Sequence, residues 1–184
     1  MIAFLDFEAS SLSERSYPIE VAWVFEDGIA RSFLIRPAEG WTDWSERAEQ
    51  VHGIARATLL AQGTPHDEVA RIMVAELTGH DIVATAPSWD GKWLSALLRA
   101  AGLPRRALRL RDSDAALREC ATTILAPVLP PEDLAEAVAN LLAIIDLREA
   151  DHVPAHRALA DAQDMRDEWL AIRDAARAMI GDKR

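Results

Sequence analysis

The chain carries a single cysteine, Cys120, in 184 residues. One thiol excludes an internal disulfide and leaves a cysteine-rich zinc site without ligands. Such usage suits a reducing compartment, so a cytoplasmic location is expected. Basic residues are also scarce: 20 Lys and Arg face 30 Asp and Glu, a formal net charge of −10. That argues against a broad cationic surface gripping long stretches of nucleic acid. An acidic protein still holds a phosphate chain at one small spot when metal ions supply the positive charge. No apolar run approaches the roughly 18–20 residues of a membrane span. Residues 134–145 come nearest, and Glu136 and Asn140 interrupt them, so no membrane association is expected. The segment Met1-Ile2-Ala3-Phe4-Leu5 meets Asp6 with no basic stretch before it, and does not read as a signal peptide. Internal repeats, low-complexity tracts, a Walker A loop and a G-x-G-x-x-G loop are all missing.

Half of the residues are hydrophobic, and the length fits one domain, residues 1–184. Residues 2–7 are apolar apart from Asp6, the pattern of a strand buried on both faces. Strands at 19–26 and 29–36 flank Asp27-Gly28, a strong hairpin signal. Residues 37–44 read as a loop and 45–60 as a short helical stretch broken near Gly53. Thr64-Pro65 reads as a helix opening, with Thr64 at the N-cap and Pro65 in the first turn; Gly79 stops that helix. A strand at 81–86 and a helix at 89–101 follow. A short strand at 107–111 comes next, then helices at 113–125 and 132–148. The last helix begins near 156, with Ala162, Met165, Trp169, Ile172, Ala176 and Met179 as a core-facing stripe.

Asp6 and Glu8 end the most apolar strand. Their spacing puts both side chains on one face, roughly 7 Å apart. Two anions in a partly buried place repel and lose hydration. A divalent cation offsets that cost, and an oxygen-only donor set favours magnesium or manganese over zinc. A strand that simply emerges into solvent at Asp6 explains the pair equally well. Asp90 opens the helix after strand 81–86, where a first-turn acid also complements the helix dipole. A role beside Asp6 requires strand 81–86 to neighbour strand 2–7. His156 and Asp161 are five residues apart, so within one helix about 500° of rotation would part them. If His156 stands just before the helix, on a loop set by Pro154, it folds back over Asp161. Taken singly, Asp161 reads as a solvated flank of the helix and His156 as a capping or surface histidine, each ahead of a functional role.

In this order the five residues resemble the DEDDh branch of the DnaQ-like 3′–5′ exonucleases, which includes RNase T and oligoribonuclease. The matching segments are Leu5-Asp6-Phe7-Glu8-Ala9-Ser10-Ser11-Leu12, then Val83-Ala84-Thr85-Ala86-Pro87-Ser88-Trp89-Asp90, then His156-Arg157-Ala158-Leu159-Ala160-Asp161-Ala162. Val51-His52-Gly53-Ile54 also looks like a segment of that family. The resemblance covers about residues 2–170.

It implies an α/β, RNase H-like fold: a mixed sheet whose first three strands are antiparallel, surrounded by helices. It implies a 3′–5′ exonuclease that releases nucleoside monophosphates from single-stranded or short nucleic acid, DNA or RNA. Asp6, Glu8, Asp90 and Asp161 would hold two Mg²⁺ or Mn²⁺ ions, and His156 would be the general base. Leu12 matches a position that wedges against the terminal base. Ala9, Ser10 and His52 would contact the terminal nucleotide. Relatives are often dimers, which makes a homodimer one implied assembly. Ser11 stands where many members have glycine, and Thr85-Ala86 where many have His-Asn; neither removes an implied ligand. The alternative is a DnaQ-like module that binds nucleic acid or protein without cutting. Retention of all five polar positions argues against it.

Other features have plainer readings beside functional ones. Arg99, Arg105, Arg106, Arg109 and Arg111 form the densest basic run, either a solvated surface or a patch that steers a phosphate backbone. Of six tryptophans, Trp23 and Trp169 read as core, and Trp89 and Trp93 as helix packing. Trp41 and Trp44 either pack over the sheet or stack on bases. Glu149, His152 and His156 hint at a metal site, but Pro154 disfavours a continuous helix, and zinc or di-iron chemistry is rejected. Glu20, an acid within a strand, reads as structural or as support for the carboxylates.

Overall fold

Apolar side chains on both faces of one strand demand cover on both sides, and this requirement sets the architecture. The computed structural model describes residues 1–149 and 155–181, without the side chains of 144–149. His152, Pro154 and the Glu149 side chain fall outside the described residues. In β1 (Ile2–Ala9), Ala3, Leu5 and Phe7 face one way, and Ile2, Phe4, Asp6 and Glu8 the other. β1 pairs antiparallel with β2 (Pro18–Phe25), which pairs antiparallel with β3 (Ala30–Arg36). On the other side of β1 lies β5 (Asp81–Ala84), parallel to it, and then β6 (Leu110–Asp112), parallel to β5. A two-residue strand, β4 (Thr64–Pro65), completes the order β4-β3-β2-β1-β5-β6. The sheet is mixed with its first three strands antiparallel, as the resemblance implies.

Two helices cover one face: α3 (His66–Leu77) and α4 (Pro87–Ala100). Their Met73, Leu77, Leu94 and Leu97 pack on Leu5, Val21 and the fully buried Trp23. The other face meets α5 (Ser113–Leu125) and α7 (Ala158–Gly181), whose Ala116 and Met165 close over Ile2, Phe4 and Val83. Behind them, α6 (Pro131–Glu149) packs its Val138 and Leu141 against Leu125 and Ile172. The short helices α1 (Glu46–His52) and α2 (Arg56–Gln62) flank Gly53, which takes the left-handed φ of 68°.

The structure departs from the sequence reading in several places, among them β6, which begins at Leu110 rather than at residue 107. Thr64 and Pro65 form β4 beside Ile35 and Arg36, not the start of a helix; a proline without an N–H is tolerated at such an edge. Gly63 makes this approach feasible, since a Cβ there would stand 2.4 Å from the Leu59 carbonyl oxygen and 2.6 Å from the Arg36 nitrogen. Strand β5 stops at Ala84 and α4 starts at Pro87, because Pro87 fits the first helical position, where no N–H is needed. Met179, read as core, is 37% exposed near the end of α7. No helix among the described residues is long and apolar enough to cross a membrane.

Candidate active site

The carboxyl end of β1 lies between the first turn of α4 and the start of α7. Parallel pairing of β1 with β5 brings Asp90 to this end of the sheet, the condition its functional reading required. Asp90 is 2% exposed, and one carboxylate oxygen accepts the Ala86 N–H at 3.3 Å. Burial pushes its pKa up to about 7, against that hydrogen bond. Asp6 is raised well above the usual carboxylate range, by burial first and then by the fields of Asp90, Glu8, Asp161 and Glu20. Glu8 rises to about 7, through burial and then Asp161 and Glu20, with Arg157 opposing. Asp161 is raised by burial, against the Ala155 N–H that one of its oxygens accepts at 3.1 Å.

One potential ligand atom each from Glu8, His156 and Asp161 lies within 4.8 Å of the other two. Asp6 and Asp90 stand outside that group of three but within its electrostatic reach. His156 precedes α7, and its φ of 50° is the one positive value at a described non-glycine residue. The backbone turns there, letting the ring face Asp161 rather than follow the helix.

Glu20 holds this turn in place. It faces Glu8 across the β1–β2 ladder and is 2% exposed. Its carboxylate accepts Arg157 Nε and an Arg157 terminal nitrogen at 3.1 and 2.7 Å, and the Ala158 N–H at 3.0 Å. One acid thus pairs with the guanidinium and caps α7. The sequence signal was an acid at an inward position of an otherwise apolar strand.

A cleft of about 640 Å³ opens over Glu8 and His156, with Ala9, Leu12, Arg47 and His52 in its walls. Leu12 is 73% exposed at its edge. His52 is buried and accepts the Ile54 N–H on Nδ1 at 3.0 Å, which leaves the proton on Nε2. Nε2 is buried and has no hydrogen-bond partner among the described residues. Burial pushes the His52 pKa down, so the ring is neutral. Ser10 is fully buried, and its groups are engaged within the protein. Its N–H donates to the Tyr17 carbonyl, its hydroxyl accepts the Tyr17 N–H and donates to Asp43, and its carbonyl accepts the Ser45 N–H. Ser11 and Ser13 also donate to Asp43, at 2.5 and 2.9 Å, and hold its pKa below the usual range. This serine clasp, which fixes the loop carrying Leu12, was not foreseen. Trp41 stacks on Tyr17 at 5.1 Å, and Trp44 donates to Glu49, so both are engaged in packing.

The donor set suits hard divalent cations: carboxylate oxygens with one imidazole, where burial raises all four carboxyl pKa values and neighbouring acids raise those of Asp6 and Glu8 further.

No family model and no curated protein matches the chain. Solved structures do. E. coli exonuclease I in complex with a dA16 oligonucleotide matches with a TM-score of 0.65 at 17% identity, over 95% of this chain and 41% of that one. Exonuclease I from Methylocaldum szegediense matches with a TM-score of 0.64 at 17% identity, over 94% of this chain and 40% of that one. A product-bound exonuclease I matches with a TM-score of 0.65 at 16% identity, over 94% and 43%. The chain thus spans about two fifths of the length of these structures. In fold, the chain is similar to exonuclease I.

Proposed function

We propose that this chain is a metal-dependent 3′–5′ exonuclease. It hydrolyses phosphodiester bonds at nucleic-acid 3′ ends and releases nucleoside monophosphates. The observation that carries this reading is the convergence of Glu8, His156 and Asp161 within 4.8 Å, under the fields of Asp6 and Asp90, in a cleft edged by Leu12. The oligonucleotide- and product-bound states named for the solved exonuclease I structures support it by analogy of fold.

Asp6, Glu8, Asp90 and Asp161 would hold two Mg²⁺ or Mn²⁺ ions. When bound, such ions stabilise the charge that develops on the attacking and leaving oxygens. Four carboxylates against two dications bring the local charge near zero, so a phosphate approaches despite the net −10. His156 takes the proton of the attacking water. Glu20, through Arg157 and the Ala158 N–H, holds the turn that carries His156. Leu12 and Ala9 wall the terminal nucleotide, and His52 lines the same cleft.

The test uses 3′- and 5′-labelled RNA and DNA oligomers with Mg²⁺, Mn²⁺ or EDTA. Stepwise shortening from the 3′ end with metal, abolished by EDTA, is expected. No shortening with either metal rejects the enzyme and favours a module that binds without cutting. His156→Ala lowers kcat by about 10²–10⁴-fold with unchanged circular dichroism. Wild-type turnover in that variant removes His156 as the base.

A further inference from the structure

The catalytic cleft continues beyond the residues that this reaction uses. Leu12 lines a second cleft of about 400 Å³, whose other walls are Glu14, Ser88, Trp89 and Lys92. Trp89 is half-buried; Lys92 Nζ sits 4.7 Å from its ring centroid. The same Nζ donates to the Ser13 carbonyl at 2.6 Å and to Ser16 Oγ at 3.0 Å. No described carboxylate forms an ion pair with it, and its charge is felt by Asp43 in the serine clasp.

From Lys92, the outer face of α4 carries Ser95 and Arg99 at steps of three and four, opposite the buried Trp93 and Leu97. Arg105, from the loop after α4, donates through Nε to Ser95 Oγ at 3.2 Å. Arg99 and Arg105 are exposed, and neither pairs with a described carboxylate. Lys92 and Arg99 are about 10 Å apart along the helix axis. In a chain of net charge −10, three such cations in a row starting at the Leu12 edge are complementary to a polyanion.

We propose that the upstream part of a single-stranded nucleic acid runs along this face of α4. The penultimate base packs against Trp89, across Leu12 from the terminal one, and the phosphates behind it meet Lys92, Arg105 and Arg99. This track rests on the nuclease reading and deepens it: the preferred substrates are strands several nucleotides long rather than dinucleotides.

The experiment measures kcat/KM for dinucleotides, tetramers and octamers at several salt concentrations. The variants are Arg99→Glu/Arg105→Glu and a charge-matched control, Arg118→Glu/Arg177→Glu, on the opposite layer of helices. Wild type and control are expected to gain about tenfold or more from dinucleotide to octamer. The track variant loses most of that gain, and its log–log salt slope flattens by about 1.4, at ~0.7 per phosphate contact. A wild type without length preference overturns the track, as does a track variant that keeps the gain. An octamer abasic at its penultimate position should be cut about tenfold more slowly by wild type, and equal rates would overturn the role of Trp89. If no strand of any length is cut, the nuclease reading itself falls, a result distinct from a flat length series.

Discussion

Asp90 shows what a buried carboxylate costs before anything neutralises it. It is 2% exposed, accepts one weak backbone hydrogen bond and titrates near pH 7. Glu8 is raised to the same region. With folded pKa values above the unfolded ones, the metal-free native state keeps protons that the unfolded chain has released. Stability is therefore fully present below the ordinary carboxylate range, near pH 4, and falls as pH rises through about 7. Asp90→Asn keeps the acceptor oxygen without the charge, so at pH 8 without metal it should stabilise the fold by about 2–4 kcal/mol in urea titration. Equal stability of this variant and wild type would mean that Asp90 is not desolvated. The pairing of Asp6 with Glu8 was legible because a strand has a period of two and both acids interrupt an apolar run. Glu20 was legible as a structural or supporting acid but its partner was not, since nothing in a strand shows that its acid meets Arg157 from the far end of the chain.

At the scale of elements, positions in sequence were legible and the junctions were not. The Asp-Gly hairpin and the last helix lie where periodicity places them. β4 was missed because two residues carry no period, and its existence depends on how closely Gly63 lets the chain approach Arg36. Gly63→Ala would force a methyl group against two backbone atoms, and chemical denaturation should show a loss of about 2 kcal/mol or more. Full stability in that variant would show that the β3–β4 junction gives way freely. The start of α7 depends on Glu20, whose carboxylate caps the helix and holds Arg157. Glu20→Gln keeps an acceptor but loses the charge. The expected outcome is a loss of about 1–2 kcal/mol and a fall in kcat of more than tenfold with little change in KM, because His156 loses its support. A variant that loses stability but keeps kcat would separate the clamp from catalysis.

For the whole molecule, the sheet order answers the question that spacing left open: strand 81–86 does neighbour strand 2–7, and so Asp90 meets Asp6. Charge acts at this scale too. A fold that gathers Asp6, Glu8, Asp90 and Asp161 at one sheet end, in a chain of net charge −10, should be stabilised by the cation that it lacks when stripped of metal. Thermal unfolding at pH 8 should rise by several degrees on adding millimolar Mn²⁺, and by less in Asp90→Asn; an equal shift in both would place the ion elsewhere.

Asp6 and Asp161 sit near opposite ends of the chain, and this has a consequence during synthesis. Strands β1 to β3 pair locally and form early, whereas α7 must leave the ribosome before its carboxylate reaches theirs. A partly made chain therefore has the first strands without the complete carboxylate cluster. The activity proposed for that cluster would be absent from the nascent protein until its last helix docks.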